Sequence, residues 1–204
     1  FFITRKGTGI TKIEDLKGKT IAVGPNGSGN ANNAKDMLLG GYGLWEDNCN
    51  ILYLSNSDGA DALRDGTCDA IVGYTSSNIA PSYVTELDLS CDDLVYLSIS
   101  EEALAKMIDA MPYTVETHIE CDTLTQMPDN MLAPGSMSNC AVSPYVSEDV
   151  VYAFIKTLMD NVGELANYHA NGAKINPDTM CLGVFAGYKV HPGVAKYLKE
   201  IGKW

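Results

Sequence analysis

Four short apolar runs, Thr20–Val23, Asn50–Leu54, Cys68–Tyr74 and Asp93–Ile99, each give way to polar or turn-forming residues and then to a stretch with helical spacing. Apolar runs of that length belong in strands buried within a sheet, and their alternation with helices of roughly ten residues specifies βαβ units. The expected class is α/β with a mainly parallel sheet. In such sheets ligands bind outside the carboxyl ends of the strands, so the residues that follow each run are where function is expected.

The first unit is the most informative. Thr20–Val23 runs into Gly24-Pro25-Asn26-Gly27, turn formers that stop a strand, and Ser28 then stands as a natural helix N-cap. Ala31, Ala34, Met37 and Leu38 follow at helical spacing, with Gly40-Gly41 as the expected stop signal. A strand feeding a capped helix through glycines turns backbone N–H groups outward beside the positive end of a helix dipole, which suits an anion. Read without that chemistry, the same residues are an ordinary βα turn whose glycines serve geometry alone. Gly24, Gly27 and Gly29 are spaced G-x-x-G-x-G rather than G-x-G-x-x-G, and no Gly-Lys-Ser or Gly-Lys-Thr follows, which argues against a nucleotide.

The third run ends in a second polar turn, Tyr74 to Asn78, which the parallel arrangement turns towards the same cleft as Gly24–Asn30. The ligand-binding set expected from the two turns is Pro25, Asn26, Gly27, Ser28, Gly29 and Asn30 with Tyr74, Thr75 and Ser76. Neither Gly24–Asn33 nor Gly73–Pro81 contains an Arg or Lys.

Elsewhere, residues 1–10 read as an extended lead-in, and Ser57–Leu63 as a helix with a Ser cap, closed by Asp65-Gly66. A further helix passes through Val84 to Leu87, and Ser100 caps another with an acidic first turn. Beyond Met111 the texture changes: Pro112–Glu116 is extended, and a loop-rich stretch with Pro128, Pro134 and Gly135 follows. Ser147 opens a long amphipathic helix whose expected apolar face is Val151, Phe154, Ile155, Leu158 and Val162, and the last helix runs from Pro192 to Ile201. Tyr145, Tyr152 and Tyr168 are expected to pack rather than to stack on a ligand.

At 204 residues and 46% hydrophobic content the chain can bury a core of one or two domains. A formal net charge of −12 argues against nucleic acid as a partner, since counterion release needs clustered Lys and Arg. No apolar run reaches the roughly 18–20 residues that span a bilayer. The chain opens on Phe1 rather than Met, and a processed or truncated start is expected.

The six cysteines, at 49, 68, 91, 121, 140 and 181, form no C-x-x-C pair, and the three histidines are remote from them in sequence. No metal and no cofactor is expected, and the thiols read as mostly reduced and structural. His191, just before Pro192, reads as a group that holds a helix end or a partner carbonyl rather than as a base.

Four separated motifs resemble the TAXI family of solute-binding receptors for TRAP transporters. They are Leu16-Lys-Gly-Lys-Thr-Ile-Ala-Val-Gly with Gly27-Ser-Gly, Gly66-Thr-Cys-Asp-Ala, Ser147-Glu-Asp-Val-Val-Tyr, and His191-Pro-Gly-Val-Ala-Lys-Tyr-Leu-Lys-Glu-Ile-Gly, in the family's order. The resemblance implies a periplasmic-binding-protein type II-like lobe with C-terminal helices, and a receptor that lacks its N-terminal lobe here. Residues 11–115 would form the second ligand-binding lobe, 1–10 and 112–134 the interlobe crossovers, and 135–204 a helical segment returning to the first lobe. It implies an extracytoplasmic location, in the periplasm or as a cell-surface lipoprotein. The implied partners are a small carboxylate-bearing solute, such as an amino acid or dicarboxylate, and the permease subunits of a TRAP transporter. Ligand contacts of the family type map onto Gly27, Ser28 and Gly29 and onto Tyr74 and Thr75. The chain departs from the family in Asn30, where Thr is common, and in Thr75-Ser76-Ser77, where glycines are common.

Two other functions fit the same architecture. An enzyme, such as a transferase or a pyrimidine-precursor synthase, would need a reactive group at the cleft, and Cys68 and His118 are the only remote candidates. A sensor domain would use solute capture to bias a partner.

Overall fold

The computed structural model describes residues 1–111, 113–127, 129–136, 138–180 and 189–204. Pro112, Pro128 and Cys181, named above, lie outside the described residues. The chain divides into two compact units, Phe1–Ser136 and Met137–Trp204.

The first unit is built on a five-stranded sheet. Its strands are β1 (Phe2–Arg5), β2 (Thr20–Ala22), β3 (Asn50–Leu52), β4 (Ala70–Val72) and β5 (Leu94–Leu97), in the order β3-β2-β4-β1-β5. β2 pairs parallel with β3 and with β4, whereas β1 pairs antiparallel with both β4 and β5. β5 therefore points the same way as β2, β3 and β4, and the sheet is mainly parallel with one reversed strand inside it. The α/β class is as expected.

The place of β1 is not. The segment expected to lead into the sheet lies within it, and Phe2, Ile3 and Thr4 are wholly buried. Burial of Thr4 is tolerated because its hydroxyl donates to the Asp69 carbonyl at 2.7 Å. Strand side chains alternate between two apolar layers, as β-geometry requires. Phe2, Ile21, Val23, Val72 and Leu97 face one layer, and Ile3, Ala22, Ile71 and Leu94 the other. Helices cover both: α1 (Gly29–Lys35) and α4 (Glu101–Ala110) on the first, α2 (Asn56–Arg64) and α3 (Ser82–Ser90) on the second.

Helix ends refine the sequence reading. Ser28 and Ser100 cap α1 and α4 as expected, accepting from Ala31 N and Ala103 N at 3.2 Å each. α2 starts earlier than Ser57, because Ser55 and Asp58 form the cap: Ser55 Oγ accepts from Asp58 N at 3.1 Å and donates to Asp58 Oδ2 at 2.6 Å. Gly40-Gly41 do not stop the first helix, which continues as a π-helical turn over Asp36–Gly41. The stop is Gly43, with φ of +67°. Gly40 and Gly41 instead allow close packing on α4, where a Cβ on Gly41 would lie 3.2 Å from Ala103 Cβ.

After α4 an antiparallel hairpin of β6 (Thr114–Ile119) and β7 (Met131–Ser136) completes the unit. Pro134 and Gly135, expected in a loop, lie in β7, an edge strand that tolerates proline. The connection is tied down by Asp88, which is 4% exposed. Its carboxylate accepts from Tyr96 Oη at 2.6 Å and from Thr125 N and Oγ1 at 2.7 and 2.6 Å. Burial opposes the charge on Asp88, but these hydrogen bonds outweigh it and hold the carboxyl below the usual carboxylate range.

In the second unit α5 (Glu148–Asp160) packs on α6 (Pro192–Glu200). Tyr152, Ile155, Leu158 and Met159 of α5 meet Val194, Tyr197, Leu198 and Ile201. Phe154, assigned above to the apolar face, is instead 60% exposed, because α6 covers the stripe that runs through Tyr152, Ile155 and Met159. Ser147 occupies the N-cap position of α5 without a side-chain capping bond. Tyr145 and Tyr168 are 97% and 82% exposed, so among the described residues neither packs as expected. Tyr152 does pack, under Lys196 Nζ at 4.9 Å from its ring centre, and its hydroxyl donates to Glu200. His191 holds a helix end and a carbonyl as expected: Nδ1 accepts from Gly193 N at 3.2 Å, and Nε2 lies 3.0 Å from the Val146 carbonyl oxygen.

Candidate functional site

Register brings the predicted turns to one edge. Ala22 stands opposite Leu52 on one side and Ile71 on the other, so β2, β3 and β4 end together and hand the chain to three neighbouring loops. The middle loop carries Pro25, Asn26, Gly27, Ser28, Gly29 and Asn30; the β4 loop carries Tyr74, Thr75 and Ser76.

In the middle loop, Gly24 has φ of +95°, and a Cβ there would lie 3.0 Å from Asn30 Cβ and 3.3 Å from both Ser28 Oγ and Asn56 Oδ1. Only glycine permits that convergence. Gly27, with φ of +75°, and Gly29 face open space, and Pro25 and Asn26 are exposed. The Pro25 carbonyl accepts from Ser28 N at 3.0 Å, which closes the turn and sets the entrance to α1.

The electrostatics of the three helix starts differ. α2 holds its own anion, Asp58, and α4 holds Glu101 and Glu102 in its first turn. α1 has no acid in its first turn, and among the described residues the Gly29 and Asn30 N–H groups meet no acceptor. The Ser28 oxygen is engaged by Ala31 N, and its hydroxyl proton remains available. The edge therefore presents Ser28 O–H, Gly29 N–H and Asn30 N–H as donors beside a helix start that no internal carboxylate neutralises.

In the β4 loop Ser76 and Ile79 exchange two backbone hydrogen bonds of 3.0 Å, closing a turn in which Ser77 and Asn78 take φ of +52° and +62°. Tyr74 is 38% exposed and leans on Tyr83, with ring centres 6.0 Å apart. Gly73 is compelled by contact, since a Cβ would lie 2.5 Å from the Phe1 ring.

One residue of this edge had no place in the sequence reading. Asn56, at the start of α2, accepts from Asn30 Nδ2 at 3.0 Å and so ties the β3 loop to the β2 loop. Its only sequence signal is its position between the capping residues Ser55 and Asp58, just past a strand end.

The remote catalytic candidates lie elsewhere. Cys68 precedes β4, at the opposite edge of the sheet; it is buried, and burial pushes its thiol up to about 11, far from the thiolate a nucleophile needs. His118 is exposed on β6, 3.2 Å from Glu116 Oε1. Among the described residues no group of three His, Cys, Asp or Glu side chains is placed to hold a metal.

Comparison with solved structures returns solute-binding proteins. Over 97% of its length the chain is similar to the periplasmic aliphatic sulphonate binding protein SsuA from Escherichia coli, at 17% identity and a TM-score of 0.46, and covers 53% of it. The alkanesulfonate-binding protein SsuA from Xanthomonas axonopodis pv. citri, bound to MOPS, matches at 20% identity and a TM-score of 0.43, with 97% of this chain and 54% of that one covered. A shorter match, at 32% identity and a TM-score of 0.31, covers 35% of this chain and 21% of a putative sulfonate-binding SsuA from Methylobacillus flagellatus KT. The chain thus spans about half the length of the Escherichia coli and Xanthomonas axonopodis proteins. Its sequence matches the NMT1-like family over residues 1–202, and the chain belongs to that family.

Proposed function

We propose that the chain forms the second lobe and C-terminal segment of an extracytoplasmic solute receptor, which captures a small carboxylate-bearing solute and presents it to a membrane permease. The observation that carries this reading is the start of α1. Three donors stand at the carboxyl ends of parallel strands, on a helix without an internal anion, with open space over Gly27 and Gly29. The assignment to TRAP transporters of the TAXI type is narrower than the family match and rests on the four motifs. On it, residues 11–115 are the ligand-binding lobe, 1–10 and 112–134 the crossovers, and 135–204 the segment returning to the first lobe. Pro25 to Asn30 and Tyr74 to Ser76 line the solute. No chemical step is assigned to this edge: the one hydroxyl–carboxylate pair on its described loops, Ser55 with Asp58, is occupied as the N-cap of α2.

Gly29→Val tests the reading in the natural full-length gene product. The added side chain enters open space rather than the fold, so it blocks the ligand without disturbing the core. The expected result is loss of the thermal stabilisation given by amino acids or dicarboxylates, with an unchanged circular dichroism spectrum. A variant that responds to solute as the parent does would remove the site. Recovery of a chemically altered solute after incubation would replace the receptor by an enzyme.

A further inference from the structure

Asparagine or aspartate stands before glycine four times in the chain, at Asn26-Gly27, Asp58-Gly59, Asp65-Gly66 and Asn171-Gly172. At such a step the glycine nitrogen can attack the preceding side-chain carbonyl carbon, because no Cβ shields it and the five-membered ring that forms is unstrained. An N–H that donates to a carbonyl is held away from that attack. Gly59 N donates to the Ser55 carbonyl at 2.8 Å, Gly66 N to that of Leu63 at 3.2 Å and Gly172 N to that of His169 at 2.8 Å. Among the described residues the Gly27 N–H meets no acceptor.

Packing separates the two asparagine steps as well. Gly172 is buried, and a Cβ on it would run into the Leu165 carbonyl. Asn26 and Gly27 are exposed, and a Cβ on Gly27 would meet nothing within 4 Å. One hydrogen bond, from Ser28 N to the Pro25 carbonyl at 3.0 Å, closes the turn around them. The rotation about the Asn26 Cα–C bond that brings the two reacting groups together therefore disturbs no packed side chain.

We propose that Asn26-Gly27 is a site of spontaneous covalent modification. The Gly27 nitrogen gives up its proton and bonds to Asn26 Cγ, the Cγ–Nδ2 bond breaks, and ammonia leaves with that proton. Water then opens the cyclic imide at either carbonyl, leaving aspartate, or isoaspartate with one more methylene in the main chain. Either product puts a carboxylate at position 26. Resting on the receptor reading above, that charge stands in the loop that receives an anionic solute and repels it, so the reaction retires the receptor with age.

The test holds the natural full-length gene product at mildly alkaline pH, digests it and weighs its peptides. The peptide with Asn26 should gain the mass of an amide-to-acid exchange at least about tenfold faster than the peptide with Asn171, whose glycine nitrogen must first lose a hydrogen bond. The rate should rise with pH, because the attacking nitrogen must lose its proton. Asn26→Gln, which would need a larger ring, should remove the gain from its own peptide and leave that at Asn171 as it was. Equal rates at the two steps, or an undiminished gain in the Asn26→Gln protein, overturns the proposal. For capture, Asn26→Asp and the aged protein should each bind amino acids or dicarboxylates about fivefold or more weakly than fresh protein in isothermal titration. Binding equal to that of fresh protein overturns the effect on the receptor. If fresh protein binds none of these solutes, the receptor reading and that effect fall together, and the mass gain alone still decides the modification.

Discussion

At Asp88 a single carboxylate carries the junction between α3, β5 and the loop before β7. Its oxygens accept from Tyr96, from Thr125 twice and from Gln126 N, while the Gln126 side chain donates to the Asp88 and Cys91 carbonyls. Because its pKa is depressed in the folded state, its contribution is fully present above the ordinary carboxylate pKa, near 4, and is lost as pH falls through the folded value. Asp88→Asn should therefore cost at least about 2 kcal/mol near neutral pH, since it sets an amide donor against the Thr125 N–H. The cost should shrink as pH falls below the ordinary carboxylate range and through the folded value, where the parent also loses the charge. Denaturant unfolding of both proteins across that range measures it, and a gap that does not vary with pH would refute the assignment of the charge. Asp88 has no local signature in the sequence, because its partners at Thr125 and Gln126 come from a distant loop.

Elements show the same division between what neighbours in sequence can reveal and what they cannot. Ser28 and Ser100 were legible as caps because a cap acts on the backbone two or three residues ahead. Ser55 and Ser57 both satisfy that pattern loosely; Asp58 decides between them by bonding back to Ser55. Gly40-Gly41 misled because a glycine pair signals either a stop or a close helix contact, and only α4 reveals which. The helical pair of the second unit has its own such glycine. A Cβ on Gly193 would run into the Glu148 carbonyl oxygen and lie 2.7 Å from Tyr152 N, so α6 meets the first turn of α5 backbone to backbone. Gly193→Ala should destabilise this pair by about 1–3 kcal/mol despite the better helix propensity of alanine, and hydrogen exchange across both helices should rise. Unchanged protection would mean that the helices can part without cost.

For the whole molecule, the α/β class and the shared edge of the Gly24–Asn30 and Tyr74–Ser76 loops were legible from alternation alone, whereas the Asn30–Asn56 contact was not, since it joins two units of that alternation. Affinity is a whole-molecule property too. Micromolar binding requires about 8 kcal/mol, whereas a helix start contributes about 0.3–2 and a charged hydrogen bond about 1.5–3. Neither loop supplies a cation. Residues 1–204 alone should therefore bind solute no better than high micromolar, and the natural full-length gene product at least about a hundredfold more tightly. Titration of both would decide it, and sub-micromolar binding by residues 1–204 would sink the two-lobe reading. The reversed strand β1 sets the order in which this molecule can assemble. Its partners Val72 and Leu97 are far along the chain, so during synthesis β1 must wait, unpaired, until β4 has left the ribosome, and it gains its second neighbour only with β5. Between those two events the sheet has four strands with β1 as its open edge, and the loops after β2, β3 and β4 stand on a platform that is not yet closed. The edge that carries Gly24–Asn30 is therefore backed by the complete sheet only after β5 has joined β1.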